Sequence, residues 1–218
     1  MLNCAMMVAK GKRTMEPIIF SEKSIYMEKA FRIADRLKAP LAKDPEILRE
    51  GGLVLSVGDE GLSLVSGNMK IRGDFSGMYH RIKNNNLNSE LLIKAAKIKG
   101  RSPEEMLILD GTAGLGEDSF LLAAAGYNVI MFEKDPVIFM MLKDALDRGK
   151  NNGEISEIIN RMVCFEENSI EALKEIGSKE SPGGIRFSGK PDIIYLDPMF
   201  PERQKSGLAK KKFQLIHF

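Results

Sequence analysis

The stretch Met106-Leu107-Ile108-Leu109-Asp110-Gly111-Thr112-Ala113-Gly114-Leu115-Gly116-Glu117-Asp118 decides the fold. It opens as a compact apolar run, Met106 to Leu109, crosses three glycines, and enters a helical stripe from Asp118 to Ala125. The same alternation continues downstream. Val129 to Phe132 reads as a second strand and Pro136 to about Arg148 as a long helix, with its proline in the first turn, where a missing N–H costs nothing. Met162 to Phe165 is a third strand, Ile170 to Ile176 a helix, and Ile193 to Leu196 a fourth strand. Strands alternating with helices predict a doubly wound, Rossmann-like α/β sheet whose ligands sit at the carboxyl ends of the strands.

The residues before Arg101 read differently. Positions 1–14 carry Lys10, Lys12 and Arg13 without a period and are expected to form a mobile leader. Ser24 to Lys38 places Ile25, Met27, Ala30, Phe31, Ile33, Ala34 and Leu37 at helical spacing and stops before Pro40. Gly52 to Val57 and Leu62 to Val65 flank the turn residues Gly58 to Gly61 as a hairpin, and Met69 to Ile71 adds a short third strand. Residues 15–73 are therefore expected to form a small α+β module. In the connecting segment 74–100, turn chemistry is expected from Asp74 to Glu90, then a helix from Ser89 to Ile98 ending at Gly100. The second domain is placed at 101–218.

Composition narrows the class. With 44% apolar and 28% charged residues in 218, the chain lies outside the disordered, collagen-like and disulfide-scaffold classes. Cys4 and Cys164 have no partner spacing, so reduced thiols of a cytoplasmic protein are expected and a structural metal is not. No window approaches a membrane span, and no signal peptide is expected. The formal charge of +2 says little about partners, but Glu202 to Lys212 holds Arg203, Lys205, Lys210, Lys211 and Lys212 against one acid.

The chemistry is expected at four strand ends. After the first strand, Gly111, Gly114 and Gly116 let a ligand approach the backbone. A phosphate-binding loop would need Lys and Ser or Thr where Glu117 and Asp118 stand, and two acids would repel a triphosphate. The dinucleotide fingerprint has its glycines in another order, so NAD is the weaker alternative. A cationic nucleoside fits better, and S-adenosylmethionine is one: its sulfonium and ammonium suit acids while its carboxylate can take backbone N–H groups. Glu133 follows Asp110 by 23 positions, near the offset at which a carboxylate meets ribose hydroxyls. Asn168 and Ser169, after the third strand, could meet adenine's edge or cap the next helix. The fourth strand delivers Asp197-Pro198-Met199-Phe200-Pro201. This step resembles the [DN]-P-P-[FY] signature of methyltransferases acting on exocyclic amino groups, which implies that an oxygen on Asp197 and a carbonyl fixed by Pro198 would accept the amine's two N–H bonds, with Phe200 stacking on the base.

Together with Gln204-Lys205-Ser206 and Lys210-Lys211-Lys212, these motifs resemble the bacterial 16S ribosomal RNA guanine-N2 methyltransferase J family, within the class I S-adenosylmethionine-dependent enzymes. Gly77-Met78-Tyr79-His80-Arg81-Ile82-Lys83 resembles the family's G-x-x-x-H-R-x-K segment. The resemblance runs from about Met27 to Gln214. It implies methyl transfer to N2 of a guanosine in small-subunit rRNA, with rRNA or the small ribosomal subunit as partner. It also implies cofactor contacts at Glu117, Asp118, Glu133, Lys134, Asn168, Ser169 and Asp197, beside those expected at Asp110, Gly111, Gly114 and Gly116 in the turn itself. RNA contacts are expected at His80, Arg81, Lys83 and the basic run beyond Glu202.

Three departures stand out. Glu117 replaces a common Arg, Asn84-Asn85-Asn86-Leu87-Asn88 replaces a glycine-rich stretch, and the chain stops at Phe218 where the family continues. A class I sheet has seven strands and four are found, so the domain is expected to lack its C-terminal strands. The strand Ile193 to Leu196 should then have an unprotected edge through which copies could associate. Two rivals remain: a DNA or protein amino-group methyltransferase with the same chemistry, and a truncated, non-catalytic RNA-binding protein.

Overall fold

The computed structural model describes residues 16–48, 52–83, 87–175 and 190–197. The expected leader, Pro198 and Phe200, and the basic run from Arg203 to Lys212 lie outside them.

Two sheets share one helix. The first contains β1 (Ile18–Ser21), β2 (Leu41–Ala42), β3 (Val54–Gly58), β4 (Gly61–Ser66) and β5 (Met69–Ile71), in the order β2-β1-β3-β4-β5. The hairpin β3–β4 matches its expected place, closing with Gly58 opposite Gly61. β5 joins β4 antiparallel. β1 and β2 add a parallel pair that sequence reading had not placed. They flank α1 (Met27–Leu37), which ends with Lys38 in the left-handed region at φ 53°. Every residue of β3 is buried. Since successive side chains point to opposite faces, this sheet is covered on both sides.

The second sheet is parallel throughout. It comprises β6 (Leu107–Asp110), β7 (Asn128–Glu133), β8 (Met162–Glu166) and β9 (Ile193–Tyr195), in the order β8-β7-β6-β9. The chain steps outward from β6 to β8, then returns to lay β9 on the other side of β6. The switch point of the sheet therefore falls between β6 and β9, where open α/β sheets place their ligands. α4 (Glu117–Ala124), α5 (Pro136–Lys150), the short α6 (Ser156–Ile159) and α7 (Ser169–Glu175) complete this part.

α5 is the wall between the sheets. Asp135 caps it, with Oδ1 accepting the N–H groups of Val137 at 2.9 Å and Ile138 at 3.1 Å, and Pro136 begins the helix. Val137, Ile138 and Met141 pack into the core of the first sheet with Leu55, Leu64, Ala30 and Ile33. Leu142, Ala145 and Leu146 pack into the core of the second with Phe120, Val129 and Met131. A helix apolar on so many sides is one buried between layers.

The segment from Asp74 onward corrects an expectation. Instead of turns, Phe75–Lys83 forms α2. Phe75, Met78, Tyr79 and Ile82 fall at i, i+3, i+4 and i+7 and pack onto the core of the parallel sheet, with Phe75 stacked on Phe120 at 5.1 Å. Asp74 Oδ1 accepts the Gly77 N–H at 3.0 Å and starts the helix. The next helix, α3, covers only Leu91–Ala96, and Gly100, at φ 79°, belongs to a separate turn. Tyr127, fully buried, donates its hydroxyl to the Ala96 carbonyl at 3.1 Å and anchors that helix.

Among the described residues β9 pairs only with β6, and Ile194 and Leu196 are each about half exposed. The first sheet lies against α5 and leaves that edge uncovered among the described residues. No helix of the described residues is long and apolar enough to cross a membrane.

Candidate functional site

The site is built from the turn after β6. Asp110, all but fully buried, accepts the Thr112 N–H on Oδ1 at 2.9 Å and the Ser119 hydroxyl on Oδ2 at 2.6 Å. One carboxylate thus folds the turn back and pins it to α4. Gly114 and Gly116 have φ of 53° and 77°, a region that other residues enter at a cost. Gly116 opens α4 and its N–H donates to the Ala113 carbonyl at 2.7 Å. The two glycines serve different ends. A Cβ on Gly116 would lie 2.8 Å from Leu142 Cδ1, so this glycine permits helix packing; a Cβ on Gly114 would meet nothing within 4 Å, so the turn is open there.

Three loops converge on Gly111. A Cβ there would sit 2.6 Å from Leu196 Cδ2 and 3.1 Å from Ser169 Cβ, so the chain segments after β8 and β9 both press against the turn after β6. The Gly111 N–H donates to the Tyr195 carbonyl at 3.0 Å. Glu133, at the end of β7, joins the same cluster: Oε2 accepts the Gly114 N–H at 3.1 Å and Oε1 the Asp135 N–H at 2.8 Å. All four expected strand ends therefore meet.

The electrostatics of this cluster are acidic. Burial pushes the Asp110 carboxyl above the ordinary carboxylate range, and the hydrogen bonds from Ser119 and Thr112 offset that only in part. Burial raises Glu133 too, against the amides of Asp135 and Gly114 and with the Asp135 charge adding to the rise. Among the described residues, neither carboxylate forms an ion pair. Glu133, raised and amide-held beside the open glycine turn, complements a positively charged ligand with hydroxyls to donate, since lone pairs remain on its oxygens, while the buried Asp110 shapes the turn. That is the chemistry of an S-adenosylmethionine site, and the residues present fit it.

The other expected contacts sit as follows. Glu117 and Asp118 form the first turn of α4, and Asp118 Oδ2 accepts the Tyr195 hydroxyl at 2.6 Å. Lys134 is exposed on the turn between β7 and α5. Asn168 caps α7, its Oδ1 accepting the Ile170 N–H at 3.0 Å, which is the capping alternative left open by the sequence. Ser169 follows it, against Gly111. Asp197 is exposed, and its N–H donates to Thr112 Oγ1 at 2.8 Å.

The residues expected to contact RNA are less concentrated. His80, Arg81 and Lys83 are in α2, which begins near the site, where Phe75 Cζ would stand 3.3 Å from a Cβ on Gly116. It ends away from it: Lys83 lies 4.0 Å from Glu154, past the C-terminus of α5, and its ammonium sits 5.7 Å from the centre of the Tyr79 ring. α2 thus runs toward the C-terminal end of α5, away from the strand ends. Among the described residues, no group of three or more His, Cys, Asp or Glu could hold a metal ion.

Sequence reading missed Thr112, Ser119 and Tyr195. The register supplies the signal for the first: Asp110 lies opposite Tyr195, so two residues further on Thr112 comes level with Asp197.

Known proteins resemble this chain over most of its length. A family model described as "Putative SAM-dependent methyltransferase" matches residues 43–218. A ribosomal RNA small subunit methyltransferase J of Pseudomonas aeruginosa (strain LESB58) is 33% identical over 196 residues, covering 87% of this chain and 69% of that protein. The protein of that name from Pseudomonas fluorescens (strain Pf0-1) is 34% identical over 191 residues, covering 84% and 66%. Among solved structures, the SAM-dependent methyltransferase NGO1261 from Neisseria gonorrhoeae superposes with a TM-score of 0.64 at 25% identity, over 84% of this chain and 69% of that one. With matches over most of its length to both the family model and these relatives, the chain belongs to the ribosomal RNA small subunit methyltransferase J family of S-adenosylmethionine-dependent methyltransferases.

Proposed function

We propose that the protein transfers a methyl group to the exocyclic N2 of a guanosine in 16S rRNA, with S-adenosylmethionine as donor, in the cytoplasm. The observation that carries this reading is the convergence on Gly111 of the segments after β6, β8 and β9, with Asp197 tied to the turn through Thr112. The relatives' names supply the class of substrate, small subunit ribosomal RNA.

When bound, the cofactor supplies an electrophilic methyl group on a cationic sulfur. The chain's own residues do the rest by positioning and charge. Asp110 shapes the turn whose open face, at Gly114, receives the amino-acid end. Asp118, in the first turn of α4, faces the ammonium, and Glu133 takes the ribose hydroxyls. Lys134, Asn168 and Ser169 border the nucleoside. Asp197 accepts one N–H of the guanine amine, which favours positive charge developing on that nitrogen, and then takes the proton released. The carbonyl set by Pro198 accepts the second N–H, and Phe200 stacks on the base. His80, Arg81, Lys83, Arg203, Lys205, Lys210, Lys211 and Lys212 hold phosphates.

The test is methyl transfer from labelled cofactor to 16S rRNA and to small ribosomal subunits, with DNA and protein as controls, followed by nucleoside analysis. Label in N2-methylguanosine is the expected result. Asp197→Ala should abolish it while RNA binding persists. Label in DNA or protein, or in another nucleoside, would overturn the reading.

A further inference from the structure

We propose that Thr112 is a positioning residue that sets Asp197 from the same buried carboxylate that shapes the glycine turn. The proposal rests on the methyl-transfer reading above and assigns Thr112 no contact with either substrate.

A hydroxyl has one proton to give and two lone pairs to receive with. Thr112 Oγ1 uses both capacities: it accepts the Asp197 N–H at 2.8 Å and donates to Asp110 Oδ1 at a longer 3.4 Å. Asp110 is itself held from both sides, by the Thr112 N–H at 2.9 Å and by Ser119 of α4 at 2.6 Å. A line of hydrogen bonds, through the side chains of Ser119, Asp110 and Thr112 to the backbone N–H of Asp197, thus runs from the interior of α4 to the exposed end of β9. Its inner members are buried and its last member is exposed. Without the Thr112 hydroxyl, the Asp197 N–H would be satisfied by water at little cost, so the bond matters for where the residue stands.

A second bond between the same elements separates two roles. Tyr195 donates its hydroxyl to Asp118 Oδ2 at 2.6 Å, tying β9 to the first turn of α4 on the cofactor side. Besides the backbone bond from Gly111 to the Tyr195 carbonyl, two side chains therefore fix the strand end, Tyr195 toward Asp118 and Thr112 toward Asp197. Loss of the Tyr195 hydroxyl should weaken cofactor affinity, and loss of the Thr112 hydroxyl should slow turnover.

The experiment compares Thr112→Val, Thr112→Ser and Tyr195→Phe in the full chain. Turnover is measured on 16S rRNA, affinity by calorimetry with S-adenosylhomocysteine, and exchange of the Asp197 amide with and without that probe. Displacing a reacting group by about 1 Å can cost on the order of 100-fold, so Thr112→Val should lower kcat by roughly 10- to 100-fold while the S-adenosylhomocysteine Kd changes less than about threefold. The Asp197 amide should exchange faster in this variant, and the probe, which is expected to slow its exchange in the wild type, should have no such effect in the variant. Thr112→Ser should restore both properties, and Tyr195→Phe should raise Kd while leaving the Asp197 amide protected. Unchanged kcat and exchange in Thr112→Val would overturn the proposal. So would a serine variant as impaired as the valine one, or a loss of affinity matching the loss of turnover. Should the wild type leave 16S rRNA unmethylated, the methyl-transfer reading fails. The exchange arm still decides the tether: Asp197 protection that responds to the probe in wild type and not in Thr112→Val sustains it, and equal protection in both removes it.

Discussion

Asp144 and Asp110 are both buried carboxylates, and the fold treats them in opposite ways. Asp144, midway along α5, faces the first sheet. Lys29 of α1 pairs with it at 2.6 Å, Arg148 at 3.0 Å, and the Leu62 N–H donates to it at 3.0 Å. Burial pushes its carboxyl up, but these three donors outweigh that and hold it below the ordinary range. Arg148 also reaches the Gly73 carbonyl at 2.8 Å, so the cluster rivets the first sheet to the helix. Asp110 and Glu133, on the other side of α5, have amides and hydroxyls as donors and sit above the ordinary range. Where a buried carboxylate serves the fold, the chain supplies the cations. At the glycine turn no cation is supplied among the described residues, and on the methyl-transfer reading proposed above the charge of Glu133 is left for the cofactor to balance.

The contrast can be broken from its structural side first, where the effect is largest. Asp144→Ala strands the Leu62 N–H and unpairs two cations. Lys29 is half exposed and can be hydrated, which moderates the loss, so urea unfolding should show a destabilisation of about 3 kcal/mol. Cofactor affinity, measured where the variant is still folded, should stay near that of the wild type. A loss below about 1 kcal/mol would mean that the cluster is no rivet.

Next comes the ligand side. Glu133→Gln keeps the shape, loses the charge and leaves one of the two N–H donors without its acceptor. Affinity for S-adenosylmethionine should fall by roughly 10- to 100-fold, the scale of one charge-assisted contact, while stability moves by less than about 1 kcal/mol. Calorimetry and thermal melts on the same samples separate the two quantities. If Glu133→Gln unfolded the protein as Asp144→Ala does, the two carboxylates would belong to one class.

This division was only half visible in the chain itself. Asp110 and Glu133 stand at the ends of apolar runs followed by helical stripes, and a strand end in an α/β alternation is where chemistry is expected. All four strands of the parallel sheet lie within a residue or so of the places read from that pattern. Asp144 sits mid-helix between Lys143 and Ala145, and nothing local distinguishes it from a solvated acid. Its partners Lys29 and Leu62 are 115 and 82 residues away, and they come near because α5 lies under the hairpin. β1 and β2, of four and two residues, are too short to show a period of their own and exist by pairing. α2 could have been found. Phe75, Met78, Tyr79 and Ile82 carry the helical spacing, while His80, Arg81, Lys83 and the asparagines at 84–86 overlay it with turn-forming chemistry. Thr112 and Asp197 become neighbours only once β6 and β9 are in register.

The smallest effect, and the one that tests both carboxylate classes together, is the dependence of stability on pH. A folded state that raises a carboxyl pKa holds a proton the unfolded chain has already released. The contribution of Asp110 and Glu133 to stability is thus complete below the ordinary carboxylate range and is lost as pH rises through their raised values. Asp144 has the opposite sign: its contribution is complete above the ordinary range and is lost as pH falls through its lowered value. Urea unfolding between about pH 3 and about pH 8 should therefore show an acid limb that Asp144→Asn flattens and a shallower decline toward neutrality that Glu133→Gln flattens. A cationic ligand favours the ionised carboxylates, so binding should release protons within that second window. The stabilisation by S-adenosylmethionine should grow as pH rises across it, more steeply than that by S-adenosylhomocysteine, which lacks the sulfonium charge. A stabilisation that stays constant with pH for both compounds would show that the raised carboxylates do not face the cofactor's charge.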